Sequence, residues 1–365
     1  MRSKRRFEQG VALIIALILV ALAAILATKL TFDGWIERRR TVSIMATEQA
    51  FHFGMGAEAL AADVLTQSMQ GVQAGQNGQP ANSSASGGSS TGSTSNTNGT
   101  GGTSTAGSGN QVTLAQAWAQ PTQPMPITPE DDPEGEPIGV LQGVIEDMQG
   151  RFNLNNLAHM VMGQNGQAIQ DPVPLAQFQR LLVAVGLEAK WAGIARDWID
   201  ADDQPGEPDG AEDSIYTSQT PPYRTGNWPM MTPTELMNMP GFGADRYRKI
   251  APYVTALPTA AAKINICTAP APVLQSFAEN VGSDYTPELL ASERKAGCFP
   301  DKQTFANVLG PTVAASVVSW YTDTSNYFRL TTRVTLGTTE FTLYSLLYRT
   351  AGGKVTPLLR TFGTL

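Results

Sequence analysis

A chain of 365 residues, 42% hydrophobic and 16% charged, is long enough to bury one or two substantial cores. Its net charge of −7 argues against holding nucleic-acid phosphates by charge alone. With His52 and His159 as the only histidines, and with two cysteines, a zinc centre of several such ligands is excluded; no H-E-x-x-H or C-x-x-C appears, and no enzyme is read here.

Residues 1–10 carry Arg2, Lys4, Arg5 and Arg6 against Glu8 and end in Gly10. Seventeen unbroken apolar residues, Val11 to Ala27, come next. Continued to Leu30, the run is about 20 residues, enough to cross roughly 30 Å of hydrocarbon. The basic excess before it places the head in the cytoplasm and exports the bulk of the chain. Without the head, 21 basic and 31 acidic residues remain, net −10. A secretory signal would have an apolar region of about 7 to 15 residues closed by a small-residue site. Here the glycine precedes the run, which reaches Thr31 without a Pro or Gly break.

A short basic leader, a glycine and an apolar helix resemble the type IV pilin-like N-terminus, cut by prepilin peptidase on the cytoplasmic side. The resemblance implies cleavage between Gly10 and Val11, with the helix retained; an uncleaved anchor and a conventional signal peptide are the alternatives. Pilins carry Glu at the fifth mature position, where this chain has Ile15, and usually Phe at the first, where it has Val11. A carboxylate in hydrocarbon survives only with a partner. In a pilus that partner is the amine of the subunit above, so an uncharged position suits a subunit at the tip.

Trp35–Gln67 repeats apolar residues at spacings of three and four, which predicts a continuing helix that ends near Gln67–Gly71. Gly71–Asn110 is almost wholly Gly, Ser, Thr, Asn and Gln and reads as a flexible excursion. A short helical patch at Leu114–Trp118 and a Pro-rich stretch, Pro121–Pro137, come before order returns at Ile138. Val140–Asp147 has the content of a strand. Leu157–Met162 and Leu175–Leu187 begin a helical region, with Pro174 at a helix start, and Trp191–Ile199 is another short helix. Tyr327–Leu336, Glu340–Tyr348 and Val355–Phe362 alternate apolar and polar residues around Gly337 and Gly352–Gly353, which predicts an antiparallel meander.

Asp200, Asp202, Asp203, Glu207, Asp209, Glu212 and Asp213 crowd seven carboxylates into fourteen residues. They repel one another unless a cation joins them, and Ca²⁺ takes six to eight oxygens from a flexible loop. The expected ligands are Asp200, Asp202, Asp203, Glu212 and Asp213. The spacing is not that of an EF-hand, and a solvated acidic turn or a catalytic carboxylate pair are the other readings. Cys267 and Cys298 form one disulfide in an oxidising compartment, or else two buried thiols.

Thr234–Gly243, with its Pro240-Gly-Phe-Gly243 turn, resembles a helix-hairpin-helix module, whose turn amides hold a phosphate in DNA-binding members. Against a membrane-anchored DNA-binding protein stand the net acidity and the few cations nearby, Arg246, Arg248 and Lys249.

Taken together, these segments resemble the K-type minor pseudopilins of the bacterial type II secretion system. The matching residues are the leader with Ile15, Asp147-Met-Gln-Gly-Arg-Phe-Asn-Leu-Asn155, Asp197–Asp202 through Gly210–Asp213, Glu235-Leu with Pro240-Gly241, Ile264-Asn-Ile-Cys-Thr-Ala269, and the strands from Tyr327. The resemblance implies an α+β fold, a pilin-like long N-terminal helix packed on an antiparallel sheet with a large inserted helical domain. The organisation expected is a cleaved leader (1–10), a transmembrane segment (11–30), the periplasmic helix (31–70) and a flexible linker (71–137). First strands (138–160), a helical insertion (161–325) and C-terminal strands (326–365) complete it. It also implies a non-enzymatic subunit of the inner membrane, body in the periplasm, that caps a pseudopilus tip. Its expected partners are minor pseudopilins of I and J type, the major pseudopilin, prepilin peptidase and secreted cargo. Calcium at Asp200, Asp202, Glu212 and their neighbours would stiffen the body.

Overall fold

The computed structural model describes residues 4–69, 111–129, 132, 134–278, 292, 294, 297–300, 302–310 and 315–362. Helix α1, Lys4–Met69, runs for 66 residues, about 99 Å at 1.5 Å per residue. It contains Gly10 and Val11, and residues 13–30 are exposed throughout. Among the described residues it is the one helix long and apolar enough to cross a membrane. Its hydroxyls are satisfied within the helix: Thr28 and Thr31 donate to the carbonyls of Ala24 and Ala27 at 2.7 and 2.8 Å.

The strands follow in chain order. They are β1 (Met125–Ile127), β2 (Gly139–Asp147), β3 (Phe152–Asn153), β4 (Met160–Met162), β5 (Ala168–Gln170), β6 (Val254–Thr255), β7 (Ile264–Asn265), β8 (Tyr321–Thr322), β9 (Tyr327–Leu336), β10 (Thr339–Arg349) and β11 (Val355–Phe362). One sheet takes the order β1-β2-β9-β10-β11. The meander predicted from alternation is present as β9, β10 and β11: β9 buries Phe328, Leu330, Thr332, Val334 and Leu336, every second residue.

The chain divides into two compact units. In the smaller, Met1–Ala57 with Pro124–Gln142 and Arg333–Thr342, Ala50 and Ala57 of α1 pack with Ile127, Leu141, Val334 and Leu336. In the larger, Ala61 and Leu65 of α1 meet Val112, Trp118, Phe328, Leu330 and Leu347. Small residues on the helix let it lie close to the strands.

The larger unit also holds the helical insertion. Its helices include α2 (Pro172–Ala184), α3 (Trp191–Asp197), α4 (Asp213–Tyr216), α5 (Gly243–Ile250) and α6 (Ala271–Gln275). Asp171 caps α2, its Oδ1 accepting from the Val173 amide at 2.9 Å, and Pro172 and Pro174 occupy the first turn, where a missing N–H costs nothing. Phe152, Leu154, Phe178, Leu181, Leu182, Trp191 and Trp198 lie in one core. Asparagines stitch the unit together over long separations. Asn153 Oδ1 accepts from the Leu257 amide at 2.8 Å, and Asn155 Oδ1 from the Met230 amide at 2.7 Å. Asp147 Oδ2 accepts from Asn265 Nδ2 at 2.9 Å and from the Thr268 and Ser325 hydroxyls at 2.6 Å. Burial pushes the Asp147 carboxyl above its ordinary range despite these bonds.

Two expectations are corrected. Leu157–Met162 does not begin a helix: Leu154–Ala158 is a 3₁₀ turn, and Met160–Met162 pairs with β5 as an antiparallel hairpin. β-branched Val161 and Ile169 face each other there, and Gly166 turns the loop at φ 71°. Within the span read as a linker, Gly71–Asn110 lies outside the described residues, but 121–137 contributes β1. Pro126 pairs with Val140 on the edge of the sheet, where a strand tolerates a residue without an N–H.

Candidate functional site

The acidic loop is built around a carboxylate outside the dense cluster. Helix α3 buries Trp191, Ala192 and Ala195 on one face, while Asp197, 0% exposed, lies on the other, one turn after the buried Gly193. Asp197 Oδ2 accepts from the amides of Gly206 at 2.8 Å and Ala211 at 2.9 Å, folding the loop back onto the helix end. Its Oδ1 lies 3.5 Å from Arg196 Nη2. The approach is close enough that a Cβ on Gly210 would collide with Asp197 Oδ2 and the Gly206 amide.

This fold brings Asp200, Asp202 and Glu212 together, with one oxygen of each within 4.8 Å of the others. Gln170 Nε2 donates to Asp200 Oδ2 at 3.0 Å, while Asp200 Oδ1 and both oxygens of Glu212 are buried and accept no hydrogen bond. Glu212 is only 4% exposed. Burial, with the charges of Asp197, Asp200, Asp202 and Asp203 adding to it, pushes Glu212 up to about 7. Burial likewise lifts Asp200 to about 6, with Asp197 and Asp202 contributing. Of the five expected ligands, Asp203 and Asp213 stand apart from this group. Asp203 Oδ1 accepts from Asn227 Nδ2 at 3.1 Å, and Asp213 Oδ1 from the Thr225 amide and hydroxyl at 3.1 and 3.0 Å. Sequence reasoning missed the part played by Asp197. Its signal is an acid at the end of a short helix, one turn after Gly193 and just ahead of the dense carboxylates.

The hairpin resembling a DNA-binding turn is held to the body by Phe242 and Arg246, with Gly241 and Gly243 exposed. Gly241 and Gly243 adopt φ of 85° and 70°, which glycine allows. Phe242 between them is buried edge-on against Trp191, ring centroids 5.1 Å apart. Arg246 donates to the Gly241 and Phe242 carbonyls at 2.9 and 3.3 Å and pairs with Glu188 at 3.1 Å. Cys267 and Cys298 are joined as a disulfide, Cα atoms 4.4 Å apart. His159 Nδ1 lies 3.3 Å from Asp171 Oδ2, its ring edge-on to Trp320.

The far end of α1 is tied to the sheet by charge. Glu58 accepts from Ser345 Oγ at 2.8 Å and from two nitrogens of Arg360. Burial raises the Glu58 carboxyl, but the Arg360 and Ser345 bonds and the Arg360 charge outweigh it and hold it below the usual range. Arg349, 2% exposed, donates to the Leu65 carbonyl at 3.0 Å and Ser68 Oγ at 2.9 Å, and stacks over Phe328. A cation there satisfies carbonyls left unpaired at a helix C-terminus.

A long helix, exposed and largely apolar over residues 13–30 and packed further on against an antiparallel sheet that carries an inserted helical region, defines a pilin-like fold whose helix is consistent with a membrane anchor. Residues 150–259 match the family described as type II secretion system, protein K. The type II secretion system protein K of Aeromonas hydrophila is 28% identical over 369 residues, 98% of each chain. That of Pseudomonas aeruginosa is 29% identical over 98% of this chain and 94% of its own. The solved GspK chain of the GspK-GspI-GspJ complex from enterotoxigenic Escherichia coli shares the fold, with TM-score 0.67, 24% identity, and coverage of 89% of this chain and 100% of that one. The chain belongs to the type II secretion system protein K family.

Proposed function

We propose that this chain is a non-catalytic minor pseudopilin that caps the tip of a periplasmic pseudopilus and seeds its assembly for the export of folded proteins. The observation that carries this reading is helix α1. Its exposed apolar segment has no charge at Ile15, and its other end is locked to the sheet through Glu58, Leu65 and Ser68. Such a stem stays in the inner membrane with its head in the cytoplasm and presents the body to the periplasm. A position with no subunit above needs no carboxylate to meet a neighbouring amine. The related solved chain is seen with GspI and GspJ, which supports minor pseudopilins of I and J type as the partners here. The test is co-purification of the periplasmic body with I- and J-type bodies, together with sequencing of the mature N-terminus. A start at Val11 and a stable ternary complex are expected; a start beyond Leu30, or no complex, overturns the reading.

The acidic loop fits a calcium ion. Three oxygens of Asp200 and Glu212 are buried with no hydrogen bond, and only oxygen ligands converge there, as a hard cation requires. A bound ion supplies the positive charge these carboxylates otherwise lack. Asp200, Asp202 and Glu212 would hold it, and Asp197 would keep the loop folded around it. Calcium thus joins α3 to the segment before α4 and stiffens the body.

A further inference from the structure

A short stretch of α1 just past the apolar run belongs neither to the span nor to the packed body. The rings of Phe32 and Trp35 stack at 26°, with centroids 6.3 Å apart. The guanidinium carbon of Arg39 lies 5.1 Å from the Trp35 centroid. All three residues are exposed, Trp35 at 54%.

Height along the helix gives this cluster a meaning. At 1.5 Å per residue, Phe32 and Trp35 stand about 3 and 7.5 Å beyond Leu30, at the level of the lipid headgroups on that side. Helical side chains lean toward the N-terminus, here toward the bilayer. Stacked on Trp35, the Arg39 guanidinium is therefore held one turn below its own Cα, at phosphate height. A step of roughly 100° per residue puts Phe32, Trp35, Arg38 and Arg39 on one face, with Asp33 and Glu37 on the opposite side. Aromatic rings settle at membrane interfaces, and guanidinium forks match phosphate oxygens.

We propose that Phe32, Trp35, Arg38 and Arg39 form an anchor that binds phospholipid phosphates of the periplasmic leaflet and sets how far the helix rises from the bilayer. The inference rests on the membrane-anchor reading above. Two arguments fix the occupant: the cations complement phosphate charge, and the cluster is continuous with the apolar span that places it at the lipid surface. Removal of the leader at Gly10 also takes away Arg2, Lys4, Arg5 and Arg6. Lys29 and Arg38–Arg40 then remain as the basic residues flanking the span.

The test places a nitroxide on Leu26→Cys of the processed full-length chain. Its depth is read by oxygen and nickel-chelate accessibility in phosphatidylglycerol vesicles and in uncharged galactolipid vesicles, which lack phosphate. The expected result is a displacement of about 3 Å or more, two residues of rise, between the two lipids. Arg38→Gln with Arg39→Gln should cause the same displacement within phosphatidylglycerol, and Arg38→Lys with Arg39→Lys should restore much of the original depth. A depth indifferent to lipid and to the arginines overturns the proposal. So does an unchanged depth when the Gln pair instead reduces co-isolation of a neighbouring pseudopilin, which would assign the arginines to an acidic protein partner. A label out of reach of lipid oxygen in both vesicles would overturn the membrane anchor itself, an outcome distinct from the other two.

Discussion

Glu58 of α1 and Arg360 of β11 meet through two hydrogen bonds, Nη2 to Oε1 at 2.7 Å and Nε to Oε2 at 2.9 Å. The carboxylate is buried and the guanidinium partly exposed, so the two ends of the pair are not equivalent. Arg360→Ala leaves the Glu58 charge with Ser345 alone and is expected to lower stability by about 2 kcal/mol. Urea titration of the body measures this. Because Glu58 titrates below its ordinary 4.5 in the folded state, its contribution is present above that pH and lost as pH falls through the folded value. Glu58→Gln should therefore lose less stability than the parent protein on acidification below about pH 4.5.

Asp197 organises the loop from its buried position. Asp197→Ala strands the Gly206 and Ala211 amides and should cost about 2–4 kcal/mol. Gly210→Ala should destabilise the loop through collision with the same carboxylate, even though the cluster of acids is intact. Amide exchange across 200–213 would show both changes as faster opening.

Calcium should raise the melting midpoint of the body, and chelator should reverse the rise; saturation at a hundred times Kd corresponds to about 2.7 kcal/mol. Glu212→Gln should abolish the response while stabilising the chelated protein, since it removes one of several mutually repelling buried charges. An unchanged midpoint on chelation would remove the metal from the account.

The hairpin at Pro240–Gly243 should behave as packing. Phe242→Ala opens a cavity beside Trp191 and is expected to cost about 3–5 kcal/mol. The intact body, titrated with duplex DNA, should show no salt-sensitive association. Micromolar binding lost on Gly241→Asp would instead favour the DNA-binding alternative.

What was legible in the sequence was what period and composition encode locally. The apolar run from Val11, the alternation in Tyr327–Leu336 and the proline-started α2 depend on neighbours a few residues apart, and the structure reproduces them. Pro126 hid an edge strand because pairing with β2, not local propensity, makes it one. The carboxylate density of 200–213 marked a crowded acidic loop, but not which oxygens converge. That choice belongs to Asp197 drawing in two amides, and to Asn227 and Thr225 engaging Asp203 and Asp213. The locks of Arg360 on Glu58 and Arg349 on Leu65 join residues 302 and 284 positions apart. Tertiary structure alone decides such contacts, because a buried charge is stable only where the fold delivers its partner.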